Sequence, residues 1–423
     1  MSLNRRDLLK GGALLGAGAL LPRFLSPARA QAAATPRKLI MVLNSGGWDQ
    51  TFALDPKPGL PLVDVPAGEV RGFDGLSIWS DPSRPNVDAF FTKWADRASI
   101  INGVQVRSFV HSDCMKRMLT GSPSETTPDM GAIAAFELAP ELPVPYLALG
   151  QFSRSGPLAA ISGRAGTSNQ LQALVDPTAA YFPNDGTFVP DFGIQPDQSE
   201  DGLVRRYLDA SAQRAKKTRG QRGYNKKRID DFIASLDRSD TLARFVREGT
   251  SLGERGYTVD LTVQIPLAVQ ALRDGLSHTT MLQSGFSWDT HTNNDAQSGF
   301  HDSLFGSLDV LMQQLEDESM LESTTVMVLS EMGRTPKLNG EVGKDHWPVT
   351  SCMLLGAGVR GGTVLGATND ELGARSIDLQ TGEVDDSGAQ LQSANLVAGV
   401  LENLGVDPSA YLPGVEAFRG FRS

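Results

Sequence analysis

Asp289 and His291 close a β-prone run made of Thr279, Thr280, Met281 and Leu282, just where Gly285 and Ser287 take over. Glu331 follows a second apolar run, residues 324–329, with Gly333, Arg334 and Thr335 beyond it, and Asp345 and His346 come soon after Gly343. With 5 histidines in 423 residues, carboxylates paired with histidine just past strands point to a shared task. Ionised oxygens and neutral imidazoles arriving from several directions are what a divalent cation requires. Asp49 lies past a third apolar run, residues 38–44, so the candidate metal ligands are Asp49, Asp289, His291, Glu331, Asp345 and His346, with zinc, manganese, calcium and magnesium all open. One aspartate at a strand end is equally well explained as a helix N-cap, so the set carries the reading. Arg334 offers a guanidinium to a phosphate or sulfate oxygen, or a salt bridge to Glu331 or Glu341. His301 borders the apolar face of a helical pattern, where a buried, hydrogen-bonded imidazole competes with a ligand, and His278 stands alone as a structural residue.

These groups need elements to bring them together. Continuous apolar runs ending in glycine turns read as strands of a parallel sheet covered on both faces, whose C-terminal ends share one edge. The pattern predicts strands at 38–44, 98–104, 145–150, 279–282, 324–329, 351–356 and 361–366. Helices are predicted over 86–95, in a short segment closing at Leu119 and Thr120 before Gly121, over 130–138, along the face marked by Phe300, Leu304, Leu308, Leu311, Met312 and Leu315, and over 393–404. The expectation is an α/β fold: a doubly wound, mostly parallel sheet with helices on both faces, forming one domain over 31–423. Residues 151–260, rich in Gly, Ser, Pro and Asp, read as a loop-rich, cap-like insertion. Within it, residues 205–228 hold ten basic side chains against Asp209 alone. That run is either a solvated helix face or a collar for an anionic substrate or polymer, such as a polysaccharide.

The N-terminus is an address. Arg5-Arg6 forms a twin-arginine n-region, residues 11–21 a weakly apolar stretch, and Ala28-Arg29-Ala30 a small-x-small cleavage site, so residues 1–30 are expected to engage the twin-arginine translocase. That route carries chains already folded. The exported protein is then periplasmic or secreted, with no permanent membrane span, since no later segment approaches 18 uninterrupted apolar residues. Residues 1–30 carry five basic and one acidic side chain, so their removal takes the formal charge from −10 to −14. Such a balance argues against nucleic acid as a partner. Cys114 and Cys352 are either a disulfide pair or two buried thiols.

The ordered motifs Gly285-Phe286-Ser287-Trp288-Asp289-Thr290-His291, Ser330-Glu331-Met332-Gly333-Arg334-Thr335-Pro336, Lys344-Asp345-His346 and Leu355-Gly356-Ala357-Gly358-Val359-Arg360-Gly361-Gly362 together resemble the secreted family called domain of unknown function 1501. That family is grouped with the alkaline phosphatase and sulfatase superfamily. The resemblance implies an alkaline phosphatase-like core, one or two metal ions and an anionic ester substrate. It also implies a Ser, Thr or Cys nucleophile at a helix start, ten residues before the glycine of a Thr-Gly pair. Counting back from Gly121 lands on His111, leaving three options: His111 attacks, His111 ligates the metal, or the scaffold has lost covalent chemistry. Ser112 supplies a hydroxyl if the turn is shifted by one. The Cys-x-Pro-Ser-Arg run of sulfatases is absent around Cys114. Ser330-Glu331 stands where many relatives carry Asp-His, which implies an oxygen-richer site favouring calcium, magnesium or manganese over zinc. The implied function is a periplasmic metal-dependent hydrolase of phosphate or sulfate esters, with catalytic His111, Ser112 and Arg334. The alternative is a non-catalytic secreted binding or assembly module.

Overall fold

Hydrophobic alternation within single strands sets the architecture. In Lys38–Leu43, Ile40 and Val42 join one apolar core while Leu39, Met41 and Leu43 join another, because successive side chains leave opposite faces of a strand. Thr324–Leu329 does the same, with Val326 and Val328 on the first face and Met327 and Leu329 on the second. A sheet apolar on both faces must be covered on both.

The computed structural model describes residues 36–150, 152–164, 198–248 and 260–423. The expected signal at 1–30 lies outside them, as do 165–197 and 249–259 of the expected insertion. Among the described residues, eight strands form the central sheet: β1 (Lys38–Leu43), β2 (Ala98–Gln105), β3 (Tyr146–Ala148), β4 (Ser162–Arg164), β5 (Thr279–Gln283), β6 (Thr324–Leu329), β7 (Val349–Gly356) and β8 (Thr363–Leu365). Their spatial order is β8-β2-β7-β6-β1-β5-β3-β4. Helices α1 (Pro85–Trp94), α6 (Leu261–Arg273) and α7 (Gln297–Asp317) feed the core on one face. Helices α2 (His111–Thr120), α3 (Met130–Leu138) and α8 (Ser393–Leu404) feed the core on the other. The doubly wound, mostly parallel α/β fold read from the sequence is the fold observed.

One strand runs backwards. β1 pairs in parallel with β5 and β6, whereas β7 is antiparallel to both β6 and β2. The end of a parallel strand and the start of a reversed one lie at the same sheet edge. The segments after β1, β2, β5 and β6 therefore meet the segment before β7, which carries Asp345 and His346.

Sequence reading did not find every element. A two-stranded hairpin, Glu69–Phe73 with Leu76–Ser80, falls where prolines suggested loop, its first strand almost wholly exposed and so without an apolar signature. The basic run forms α4 (Gln198–Thr218) and the start of α5 (Gly223–Glu248), a helical pair rather than the expected loop-rich region. Its charge is partly answered locally: Arg205 meets Asp209, Asp237 and Asp240, while Lys216 and Lys226 both meet Asp230. Among the described residues, no helix is long and apolar enough to cross a membrane.

Phe305 on α7 packs against Phe90 and Phe91 of α1, each with ring centroids 5.2 Å away. Replacing Phe305 by Ala is expected to cost about 3–5 kcal/mol, read as a lower denaturant midpoint by far-ultraviolet circular dichroism. A loss under about 1 kcal/mol would mean that these helices are not held through this cluster.

Candidate metal centre

Three imidazoles converge on one carboxylate, each braced from behind. His111 is the first residue of α2, and its Nδ1 lies 2.8 Å from Glu331 Oε1. His291, in the segment after β5, has Nδ1 2.8 Å from Asp345 Oδ1. His346 donates from Nδ1 to the Phe109 carbonyl at 2.7 Å. Because each Nδ1 faces an acceptor, the proton belongs there, and each Nε2 presents a lone pair inward.

The inward atoms crowd together. His291 Nε2 is 3.0 Å from His346 Nε2, and both approach Asp289 Oδ1, at 3.1 and 3.2 Å respectively. His111 Nε2 lies 3.3 Å from Asp289 Oδ2 and is buried without a hydrogen-bond partner. One donor atom each from His111, Asp289 and His346 falls within 4.8 Å of the others. Acceptors facing acceptors at such distances repel unless a cation or protons lie between them. A tetrahedral ion with bonds of about 2.0 Å would separate its ligands by roughly 3.3 Å. The residues present therefore fit a divalent cation by donor type, by spacing and by the bracing of every ring.

Electrostatics keep Asp289 ionised. Partial burial alone would raise the Asp289 carboxyl, but the Arg334 hydrogen bond and charge, with His111 and His291, hold it below the usual range. The hydrogen bond to Glu331 raises His111 against its burial, so a proton is retained there more readily when no cation is present.

The structure redistributes the expected roles. Glu331 and Asp345 brace imidazole Nδ1 atoms, so the inward donor set is rich in nitrogen and not in oxygen. Glu331 is fully buried and also accepts the Gly46 amide at 2.8 Å. Gly46 adopts φ +124, and a Cβ there would stand 2.6 Å from the Asp289 amide nitrogen, so only glycine permits this approach. A Cβ on Gly343 would fall 1.8 Å from the His291 carbonyl oxygen, which explains the glycine in the loop before Asp345.

Arg334 is not an open anion clamp. It is completely buried and donates to the carbonyls of Gly47 (2.8 Å), Lys344 (3.0 Å) and Gly46, and to Asp289 Oδ1 (2.6 Å). Four of its five N–H groups are thus engaged, and it positions Asp289. Of the two alternatives read for Arg334, the ion pair holds, but its partner is Asp289 and not Glu331 or Glu341.

Asp49 also leaves the ligand set. Its Oδ1 accepts the Thr51 amide and hydroxyl, and its Oδ2 accepts Asn294 and lies 2.7 Å from Lys344 Nζ. Both Asp49 and Lys344 are buried, and Asp49 caps a 3-10 turn, the competing explanation for an aspartate at a strand end. Lys344 was missed because a single sequence does not show that a lysine in a charged loop is buried. His301 is enclosed by Trp48, Phe52 and Trp288, donates from Nε2 to the Asp49 carbonyl, and is pushed down by burial to about 3. His278 is likewise buried and lowered to about 4. Ser112 is exposed at the second position of α2, on the wall of a cleft that His111 also lines.

Residues 36–418 match the family described as protein of unknown function (DUF1501), and residues 2–22 match the twin-arginine translocation pathway signal sequence, an address for export across the membrane. No curated protein matches the chain by sequence. Among solved structures, the chain is similar to the lipoteichoic acid synthase LtaP from Listeria monocytogenes, with 10% identity over 91% of this chain and 74% of that one, TM-score 0.38. It is also similar to a protein in the alkaline phosphatase superfamily from Vibrio parahaemolyticus, with 10% identity over 96% and 76%, TM-score 0.37. A phosphonate monoester hydrolase from Silicibacter pomeroyi shows 11% identity over 91% and 76%, TM-score 0.36.

Lys344→Met would leave the Asp49 carboxylate buried without its cation and is expected to destabilise the protein by about 3–5 kcal/mol at neutral pH. Burial opposes ionisation of Asp49, but the charge of Lys344 and the hydrogen bonds it receives hold its pKa below the ordinary 3.8. Its contribution is therefore complete above that range and fades as pH falls through the lowered folded value. The variant's deficit should shrink in acid, where Asp49 takes a proton, and a deficit independent of pH in denaturant titrations would refute the pairing.

Proposed function

The chain belongs to the DUF1501 family, and from that membership and the inward-facing imidazoles we propose that it is an exported metal-dependent hydrolase of phosphate or sulfate esters. The observation that carries the proposal is the convergence of three Nε2 lone pairs on Asp289, with every Nδ1 fixed by Glu331, Asp345 or the Phe109 carbonyl. The ester class follows from the phosphatase and sulfatase superfamily that the four ordered motifs resemble.

His111, His291, His346 and Asp289 would hold the cation, and three imidazoles with one carboxylate suit zinc or manganese better than calcium or magnesium. When bound, the cation supplies Lewis acidity toward an ester oxygen. The protein's own groups do the rest. Glu331 and Asp345 keep the rings turned inward and raise their basicity. Arg334 fixes Asp289 in one orientation and holds it ionised. With both nitrogens of His111 committed, attack on the ester falls to the Ser112 hydroxyl or to water.

Protein purified after growth in replete medium is expected to contain roughly one equivalent of divalent metal and to cleave an aryl phosphate or aryl sulfate. His346→Ala should abolish both properties while the fold persists, and Glu331→Gln should weaken metal affinity about 10–100-fold. Ser112→Ala separates the two nucleophiles, since loss of turnover with metal retained assigns the hydroxyl and unchanged turnover assigns water. Absence of bound metal together with inactivity on both ester classes would refute the proposal.

A further inference from the structure

A cleft of about 470 Å³ opens beside His111, with Ser45 and Ser112 on its wall. Met115 and Leu119 of α2 line it together with Phe152, and these three make its apolar part. Met115 and Leu119 are otherwise buried, so the cleft reaches down to core side chains instead of ending on polar surface. At its mouth stands Arg154, whose Nη2 lies 3.4 Å from the Ser112 carbonyl. The other arm of that guanidinium pairs with Glu125 at 3.1 Å, on an exposed rim where such a pair contributes little. Arg154 therefore differs from Arg334, most of whose donors are spent inside the protein.

Phe109 is 56% exposed and Val110 60% exposed, although they immediately precede His111. The cleft thus joins an apolar patch to a polar wall of Ser45, His111, Ser112, Ser153 and Arg154, and its volume falls in the 300–1,000 Å³ range usual for a small-molecule site.

We propose that this cleft binds the organic part of the substrate, that the substrate is a small anionic ester carrying an apolar aryl or branched alkyl group, and that Arg154 pairs with its anionic oxygens. The inference rests on the hydrolase reading above and narrows it. Phe152 and Leu119 select the organic group, and Met115, unbranched and adaptable, lets the cleft accept more than one shape.

Phosphonates that cannot be hydrolysed test this by binding alone. The metal-loaded full-length mature protein would be titrated calorimetrically with phenylphosphonate and with methylphosphonate. Phenylphosphonate is expected to bind at least about tenfold more tightly, the gain from burying a ring in place of a methyl. Phe152→Ala should erase most of that preference while leaving methylphosphonate affinity unchanged. Arg154→Ala should weaken both ligands about tenfold, with Arg154→Lys restoring part of the loss, and metal content should stay unchanged in every variant. Equal affinity for the two phosphonates, no binding of either, or a preference that survives Phe152→Ala would overturn the inference. Selective binding without turnover of the matching aryl esters would instead retain the cleft assignment and refute the hydrolase reading.

Discussion

The buried guanidinium of Arg334 is the knot on which the site depends. It grips the carbonyls of Gly46 and Gly47 from the turn after β1, the Lys344 carbonyl from the loop before β7, and Asp289 from the segment after β5. Three chain segments far apart in sequence are thereby fixed to one planar group. Burying that charge would be prohibitive alone, and Asp289, kept ionised by the same contact, answers it. Asp289 in turn receives the three imidazoles, so the ion pair is the foundation and the convergence of the rings is built on top of it.

Much of this layout was legible in the sequence, for a definite reason. Strands buried on both faces leave continuous apolar runs, and β1, β2, β5 and β6 were placed within about two residues because their runs are short, β-prone and bounded by glycine or polar turns. Carboxylates and histidines just past those runs had to share an edge, and Asp289, His291, Glu331, Asp345 and His346 do so, joined by His111 at the start of α2. Their division of labour was not legible. Which face of an imidazole meets a carboxylate depends on loop conformation, so Glu331 and Asp345 read as ligands although they brace rings, and Asp49 read as a ligand although Lys344 lies against it.

Reversal of β7 was similarly hidden, because an apolar run has no sign. Only the pairing with β6 and β2 shows that the strand enters at the functional edge, and that direction delivers His346. For the basic run, the helix-face reading was one of two, and α4 with the start of α5 bears it out. Its surface charge, answered only in part between its own helices, obscured the weak apolar stripe along the pair. α6 was obscured by Pro266 within it, which reads as a breaker in sequence but is tolerated against the core.

The two cysteines have a bearing on how the molecule matures. Cys114 on α2 and Cys352 on β7 are both buried and unpaired, and burial pushes the first thiol up to about 11 and the second higher still. Neither offers an accessible thiolate to an oxidant. A chain addressed to a route that carries folded cargo thus leaves the cytoplasm with both thiols already enclosed. An oxidative folding catalyst has no disulfide to form between them.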